Sequence, residues 1–174
     1  MIICTRKATV EDAAYVALLG RITFSETFGH LFDKQKELEA YLASTFGIGK
    51  IRSSLQKDNN AYWLAFADEL PVGYAKLKKH SLLESLDNQT ASQLQKIYVL
   101  KDFLDKKIGI ALYQSLIKEV QGLQSGYLWL VVLQTNQRAI AFYHKNGFYS
   151  YTEHFHTIGS QTFGFDLLIK SIQN

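Results

Sequence analysis

The chain has one cysteine and one proline in 174 residues. A lone thiol, Cys4, cannot close an internal disulfide or build a cysteine-based metal cluster. Its place in an apolar first strand predicts a small buried hydrophobe rather than a nucleophile. The single proline, Pro71, falls in a predicted hairpin, and no internal repeat or low-complexity linker interrupts the chain. No apolar run approaches the length of a membrane span, and Met1-Ile-Ile-Cys-Thr-Arg6 lacks the layout of a signal peptide. These absences predict a cytoplasmic protein with no membrane partner. Charge is sparse as well: Asp, Glu, Lys and Arg make up 20%, with a net charge of +3 and a pI near 8.8. The basic residues are scattered, with only short pairs such as Lys78-Lys79 and Lys106-Lys107. A nucleic-acid footprint is therefore not expected.

What the chain does have is apolar and aromatic content: 47% hydrophobic residues, ten Tyr and eleven Phe. That is a globular profile. At this length the sequence predicts one domain, residues 1–174, able to bury roughly 70% of the surface its unfolded form exposes. Exposed aromatics would also suit a homodimer.

Periodicity then orders the chain. Ile2 to Ala8 reads as a strand. Thr9 with Asp12 three residues on resembles a capping box and starts a helix through Leu19. Further helical patterns cover Lys34 to Phe46 and Ile51 to Leu55. Ala61 to Ala67 is a strand, Asp68 to Pro71 a turn, and Val72 to Lys79 alternates as a half-exposed strand should. His80 to Thr90 is polar and reads as a loop. Leu94 to Leu100 is a strand, followed by a loop and a helix from Lys107 to Val120. Tyr127 to Leu133 is apolar throughout, as suits a strand buried on both faces. A hairpin of Glu153–Phe155 with Gly164–Ile169 closes the chain. Hairpins first, then strand-helix-strand-helix-strand, imply an α/β protein with a mixed sheet and helices on both faces.

Two stretches carry chemistry. The first is Asn136-Gln-Arg-Ala-Ile-Ala-Phe-Tyr-His-Lys-Asn-Gly-Phe148. Asn136 is a good N-cap, Ala139, Ile140, Phe142 and Tyr143 share helical spacing, and Gly147 supplies the left-handed stop. The second is Ile97-Tyr-Val-Leu-Lys-Asp-Phe-Leu-Asp-Lys-Lys-Ile-Gly-Ile-Ala111, a strand running through a loop into a helix whose first turn holds Gly109. Free amides at a helix start, with the positive end of its dipole, make a site for a diphosphate. Lys106 and Lys107 add positive charge there. Taken alone, the same stretch also reads as a plain strand-to-helix turn with exposed lysines.

Together these stretches resemble the GNAT superfamily of acyl-CoA-dependent N-acyltransferases. With Thr27-Phe-Gly-His30, Ala40-Tyr-Leu42, His154 and Asp166-Leu-Leu168, the chain is similar to PaiA-type bacterial polyamine N-acetyltransferases. The phosphate-loop pattern Gln/Arg-x-x-Gly-x-Gly/Ala falls on Leu104 to Gly109, so its first polar residue is Leu104, its first glycine is Lys107, and Gly109 is kept. Sliding by two residues gives Lys106-x-x-Gly109-x-Ala111. The resemblance implies a mostly antiparallel sheet with one splayed parallel pair, Leu94–Leu100 and Tyr127–Leu133. It also implies acetyl-CoA as co-substrate, no metal, and direct acetyl transfer to a small-molecule amine, with a polyamine as one acceptor. Other outcomes are acetylation of a protein N-terminus or an amino sugar, or a degenerate domain that binds acyl-CoA or a partner without turnover.

By the same resemblance, Tyr143 protonates the departing thiolate. Backbone groups near Tyr98 and Val99 hold the pantetheine and polarise the thioester, Asn136 hydrogen-bonds the arm, and Lys106, Lys107, Ile108, Gly109, Ile110 and Lys145 surround the phosphates. Without the resemblance, Tyr143 reads as a core aromatic, Asn136 as a helix cap and Lys145 as an exposed lysine. Related enzymes often carry a glutamate base on the Leu94–Leu100 strand, where this chain has Gln93 and Gln95. His30, His154 and Glu26 are the remaining candidates for a base. Glu26, Asp33, Glu37 and Glu39 form the acidic cluster that a polyamine would need, or simply the wet face of a helix.

Overall fold

The structure, a computed structural model, describes residues 1–86 and 90–172. Seven strands form one sheet: β1 (Ile3–Lys7), β2 (Asn60–Ala67), β3 (Leu70–Lys78), β4 (Ala91–Val99), β5 (Tyr127–Leu133), β6 (Tyr149–Ile158) and β7 (Gln161–Ser171). Their order is β1-β2-β3-β4-β5-β7-β6, and every neighbouring pair is antiparallel except β4 with β5. Among the described residues five α-helices cover it: α1 (Ala13–Phe28), α2 (Gln35–Thr45), α3 (Ile48–Leu55), α4 (Ile108–Gly122) and α5 (Gln137–Lys145). None is long and apolar enough to cross a membrane. The mixed α/β sheet with a single parallel pair is the architecture the sequence implies.

The alternation of each strand decides which helices it holds. On β2, Ala61, Trp63, Ala65 and Ala67 join a core with Leu112, Leu116 and Val120 of α4 and Tyr143 of α5. The intervening Tyr62 and Leu64 meet Val16, Ala17 and Leu19 of α1 and Ile51 of α3 on the opposite face. A satellite cluster of Phe24, Leu38, Leu42 and Phe46 ties α1 to α2.

Several elements differ from the sequence reading. α1 continues to Phe28 because Thr23, Phe24 and Phe28 resume the buried stripe after polar Arg21. β6 and β7 are longer than the short closing hairpin expected. β6 is an edge strand, and all its residues except Ile158 are exposed, so it carries no apolar alternation. Cys4 is exposed rather than buried. It lies on the edge strand β1, whose inward positions are Ile3, packed on the core, and Thr5, bonded to Ser115 of α4 at 2.8 Å. β3 is not half-exposed: it lies inside the sheet, with Val72 to Ala75 and Leu77 all buried. β5 is fully buried on one face and only partly on the other, where Leu133 alone is buried. Leu128, Leu130 and Val132 pack inward, while Trp129 and Val131 on the other face are half-buried. Over the 80–90 stretch, residues 80–86 and Thr90 form neither helix nor strand, and 87–89 lie outside the described residues.

Candidate active site

The parallel pair opens the sheet. β4 and β5 are paired only at Ala91 with Tyr127, Ser92 with Leu128 and Gln93 with Trp129. Beyond that point β4 continues to Val99 and β5 to Leu133 without pairing to each other. The β3–β4 register jumps from Leu77 opposite Leu94 to Lys76 opposite Lys96, leaving Gln95 as the extra residue of a bulge. A bulge bends its strand and increases its twist, and here it falls where the two strands part.

A cavity of about 890 Å³ occupies the opening. Its mouth is the loop into α4, its middle is the gap between the strands, and its far end is walled by α1, β6 and β7. Nine of the ten residues singled out from the sequence line it: Tyr98, Val99, Lys107, Ile108, Gly109, Ile110, Asn136, Tyr143 and Lys145. Lys106 does not. The chain turns through left-handed conformations at Asp105 (φ 63°) and Lys107 (φ 62°), and Lys106 between them is exposed, outside the cavity.

Lys107 holds the backbone conformation that glycine adopts without cost, as the N-cap of α4. For a residue with a Cβ that conformation costs about 1–2 kcal/mol. The turn therefore survives the loss of its glycine. The first amides of α4, which have no partner within the helix, belong to Ile108, Gly109 and Ile110, and all three residues line the cavity. Arg138 and Lys145 add positive charge at the same end, although Arg138 is paired to Asp105 at 2.6 Å.

α5 is built as its sequence suggests. The Asn136 side chain accepts from the Ala139 amide at 3.2 Å, and Gly147 ends the segment at φ 86°. That helix delivers Tyr143 to the gap. Tyr143 is 8% exposed, with its ring between Phe142 and Phe148 at 5.4 and 5.6 Å. Its hydroxyl bonds to no other described residue. Burial pushes its pKa well above the usual value for a phenol, so the proton stays on.

The far wall is aromatic, with Phe24, Phe28, Phe32, Tyr41, Tyr98, Phe163 and Phe165. His154 and His156, on one face of β6, also line it. His156 was missed in the sequence, where β6 showed no apolar alternation. Of the other base candidates, His30 lies outside the cavity. Glu26 lines it, but its carboxylate accepts the Lys101 amide at 3.0 Å. Gln95 lines it too, and its amide donates to Gln93 at 3.0 Å. Of the acidic cluster only Glu26 reaches the cavity. Glu37 instead accepts from Lys34 and from the amide and hydroxyl of Ser160, and Asp33 and Glu39 lie outside. Lys96, also unforeseen, lines the far end with its ammonium over the rings of Phe46 and Tyr98, 5.1 Å from each.

Four likenesses follow this geometry. The sequence profile described as acetyltransferase (GNAT) family matches residues 23–148. An uncharacterized N-acetyltransferase from the pepI 3′ region of Lactobacillus delbrueckii subsp. lactis is 23% identical over 149 residues, 86% of each chain. Among solved structures, the PaiA N-acetyltransferase of Thermoplasma acidophilum in complex with coenzyme A superimposes with a TM-score of 0.79 at 22% identity, covering 99% of this chain and 100% of that one. A GCN5-related N-acetyltransferase of Rhodopseudomonas palustris gives 0.77 at 19% identity over 99% of both chains.

Proposed function

The chain belongs to the GNAT acetyltransferase family, and from that premise we propose that it transfers an acetyl group from acetyl-CoA directly to the primary amine of a small acceptor. The observation that carries this reading is the unpaired opening between β4 and β5, with the Tyr143 ring lining it and the N-terminus of α4 at its mouth. Acetyl-CoA supplies an activated thioester. Its diphosphate fits the amides of Ile108, Gly109 and Ile110, where the helix dipole favours an anion, with Lys107 and Lys145 beside them. The second amide hydrogen-bonding group of Asn136 is free for the pantetheine arm while its oxygen caps α5.

Backbone groups at Tyr98 and Val99 lie beside the gap, positioned to polarise the thioester carbonyl as the amine attacks. As the carbon–sulfur bond breaks, the thiolate takes the proton from the Tyr143 hydroxyl. The proton lost by the amine leaves to solvent and restores the phenol. No carboxylate on β4 serves as base, so the acceptor reacts through its neutral fraction.

A polyamine acceptor is a second reading, favoured by the PaiA-type sequence resemblance and by the structural likeness to a PaiA enzyme. Against it stand the charges of the cavity: among the described residues its only lining carboxylates are Asp105, already paired with Arg138, and Glu26, which accepts the Lys101 amide. Calorimetric titration with acetyl-CoA, followed by thiol release across a panel of amines including spermidine, tests both readings. Binding and turnover are expected, and no binding at millimolar acetyl-CoA overturns the enzymatic reading.

A further inference from the structure

Lys96 and Lys76 face each other directly across β3 and β4. Like charges at opposed positions repel and weaken a sheet. Both side chains are half-buried on the face that α1 and α3 cover, and neither has a carboxylate partner among the described residues. Aromatic rings hold them instead: Lys76 lies 5.4 Å from the Tyr62 centroid, and Lys96 lies between Phe46 and Tyr98. Burial first, and then neighbouring lysines, lower both ammonium groups to about 8: Lys76 and Lys50 act on Lys96, and Lys57, Lys78 and Lys50 act on Lys76. The arrangement is therefore costly in the free protein. The Phe46 ring is itself fixed, because it lies against Gly20, where a Cβ would run into it.

Of the two lysines only Lys96 lines the cavity. It sits one same-face step from Tyr98 on β4, about 7 Å along the strand, and so lies just beyond the proposed position of the thioester. A desolvated cation beside a binding site attracts a negative group and repels a cation. Lys96 stands there among aromatic walls, with the imidazoles of His154 and His156 also lining the cavity and Glu26 held by the Lys101 amide, which suits a singly charged carboxylate on an apolar body.

Resting on the acetyl-transfer reading above, we propose that Lys96 binds the carboxylate of an acceptor that is an apolar amino acid or a similar carboxylate-bearing amine. Lys76 and Lys50 reinforce its field without touching the ligand. This substrate class is the opposite of a polyamine in charge.

The test compares the wild type with Lys96→Met and Lys96→Arg, each in the presence of coenzyme A. 3-Phenylpropionate, which has the carboxylate but no amine to acetylate, is titrated by calorimetry. Phenylalanine, phenethylamine and spermidine are compared in the thiol-release assay. Binding of 3-phenylpropionate should weaken at least tenfold in Lys96→Met and be retained in Lys96→Arg. The kcat/KM ratio of phenylalanine to phenethylamine should fall at least tenfold in Lys96→Met, carried by KM. Because Lys96→Met removes the repulsion with Lys76, its Tm should equal or exceed that of the wild type, which separates lost binding from lost fold. A ratio unchanged in Lys96→Met, equal binding of 3-phenylpropionate by both proteins, or spermidine as the wild type's best acceptor overturns the proposal. If no amine is acetylated but Lys96→Met still loses 3-phenylpropionate, the acetyl-transfer reading falls and the carboxylate site stands.

Discussion

Replacing Tyr143 with Phe removes one oxygen and leaves the ring. The ring is what the fold uses: it packs between Phe142 and Phe148 and joins the core under α4. The hydroxyl bonds to no other described residue, so its loss orphans no buried donor or acceptor. Folding stability should change by no more than about 0.5 kcal/mol, a shift in Tm of about 2 °C or less. Chemistry should respond very differently. Burial keeps the phenol protonated across the whole working pH range, and a positioned acid of this kind contributes on the order of 10²- to 10⁴-fold to rate. At about 1.4 kcal/mol per decade, that is about 3–5 kcal/mol of barrier. Because the hydroxyl is assigned to the leaving group and not to holding the cofactor, KM for acetyl-CoA should move less than about threefold, with the loss falling in kcat. Single-turnover acetyl transfer is the proper assay, since slow product release would hide the chemical step. Tyr143→Phe retaining at least a third of the wild-type single-turnover rate, with its Tm unchanged, would refute the role. A large fall in Tm would show instead that the hydroxyl has a structural partner.

Two further outcomes follow from named geometry. At Lys107 the left-handed backbone (φ 62°) matters more than the charge. Lys107→Gly should keep KM for acetyl-CoA within about threefold, whereas Lys107→Val, a β-branched residue forced to positive φ, should raise it at least tenfold. Equal losses in both variants would move the burden to the lysine charge. Asp12 is held at about 2, first by its hydrogen bond from the Arg6 guanidinium (2.7 and 2.8 Å) and then by the Thr9 amide (2.8 Å). Its folded pKa is depressed below the unfolded value near 3.9, so the stability it contributes is present above about pH 4 and lost as pH falls toward 2. Asp12→Asn should therefore cost about 2 kcal/mol at pH 7 and nearly nothing at pH 2. Urea melts across that range check it, and a pH-independent difference would show that the ion pair is not the source.

Local signals were legible in the sequence where chain neighbours decide the structure. β5 runs from Tyr127 to Leu133 as read, Asn136 caps α5 through its own side chain, and Gly147 takes positive φ. All of these depend on residues within a turn of one another. Burial set by sheet order was not legible. Cys4 is exposed because β1 is an edge, and the alternating Lys76 of β3 is half-buried because that strand is interior. A lysine in an alternating strand implies solvent only if one face is wet, and strand order is not written in any single strand. The acceptor end of the cavity shows the same limit. Phe32 touches Phe163 at 5.5 Å from across the chain, and His156 sits on a strand with no apolar period.

The two lysines that broke expectation, Lys107 and Lys96, lie at opposite ends of one cavity, and each holds a position the fold alone does not favour. Lys107 carries a side chain through a conformation suited to glycine, and Lys96 carries charge into an aromatic wall opposite another lysine. Local rules broken without compensation in the fold tend to mark function. At the mouth, the compensation proposed is a diphosphate held by the backbone amides that the strained turn still presents. Asp105 is paired with Arg138 at the mouth, and at the far end Glu26 accepts the Lys101 amide and makes no ion pair with Lys96. On the proposal above, the offsetting negative charge comes from the carboxylate of what binds there. A cationic acceptor would add a third positive group to the Lys76–Lys96 pair, whereas a carboxylate would neutralise it. By this reasoning, the charge of the acceptor follows from the one residue on β4 that the alternating pattern makes look ordinary.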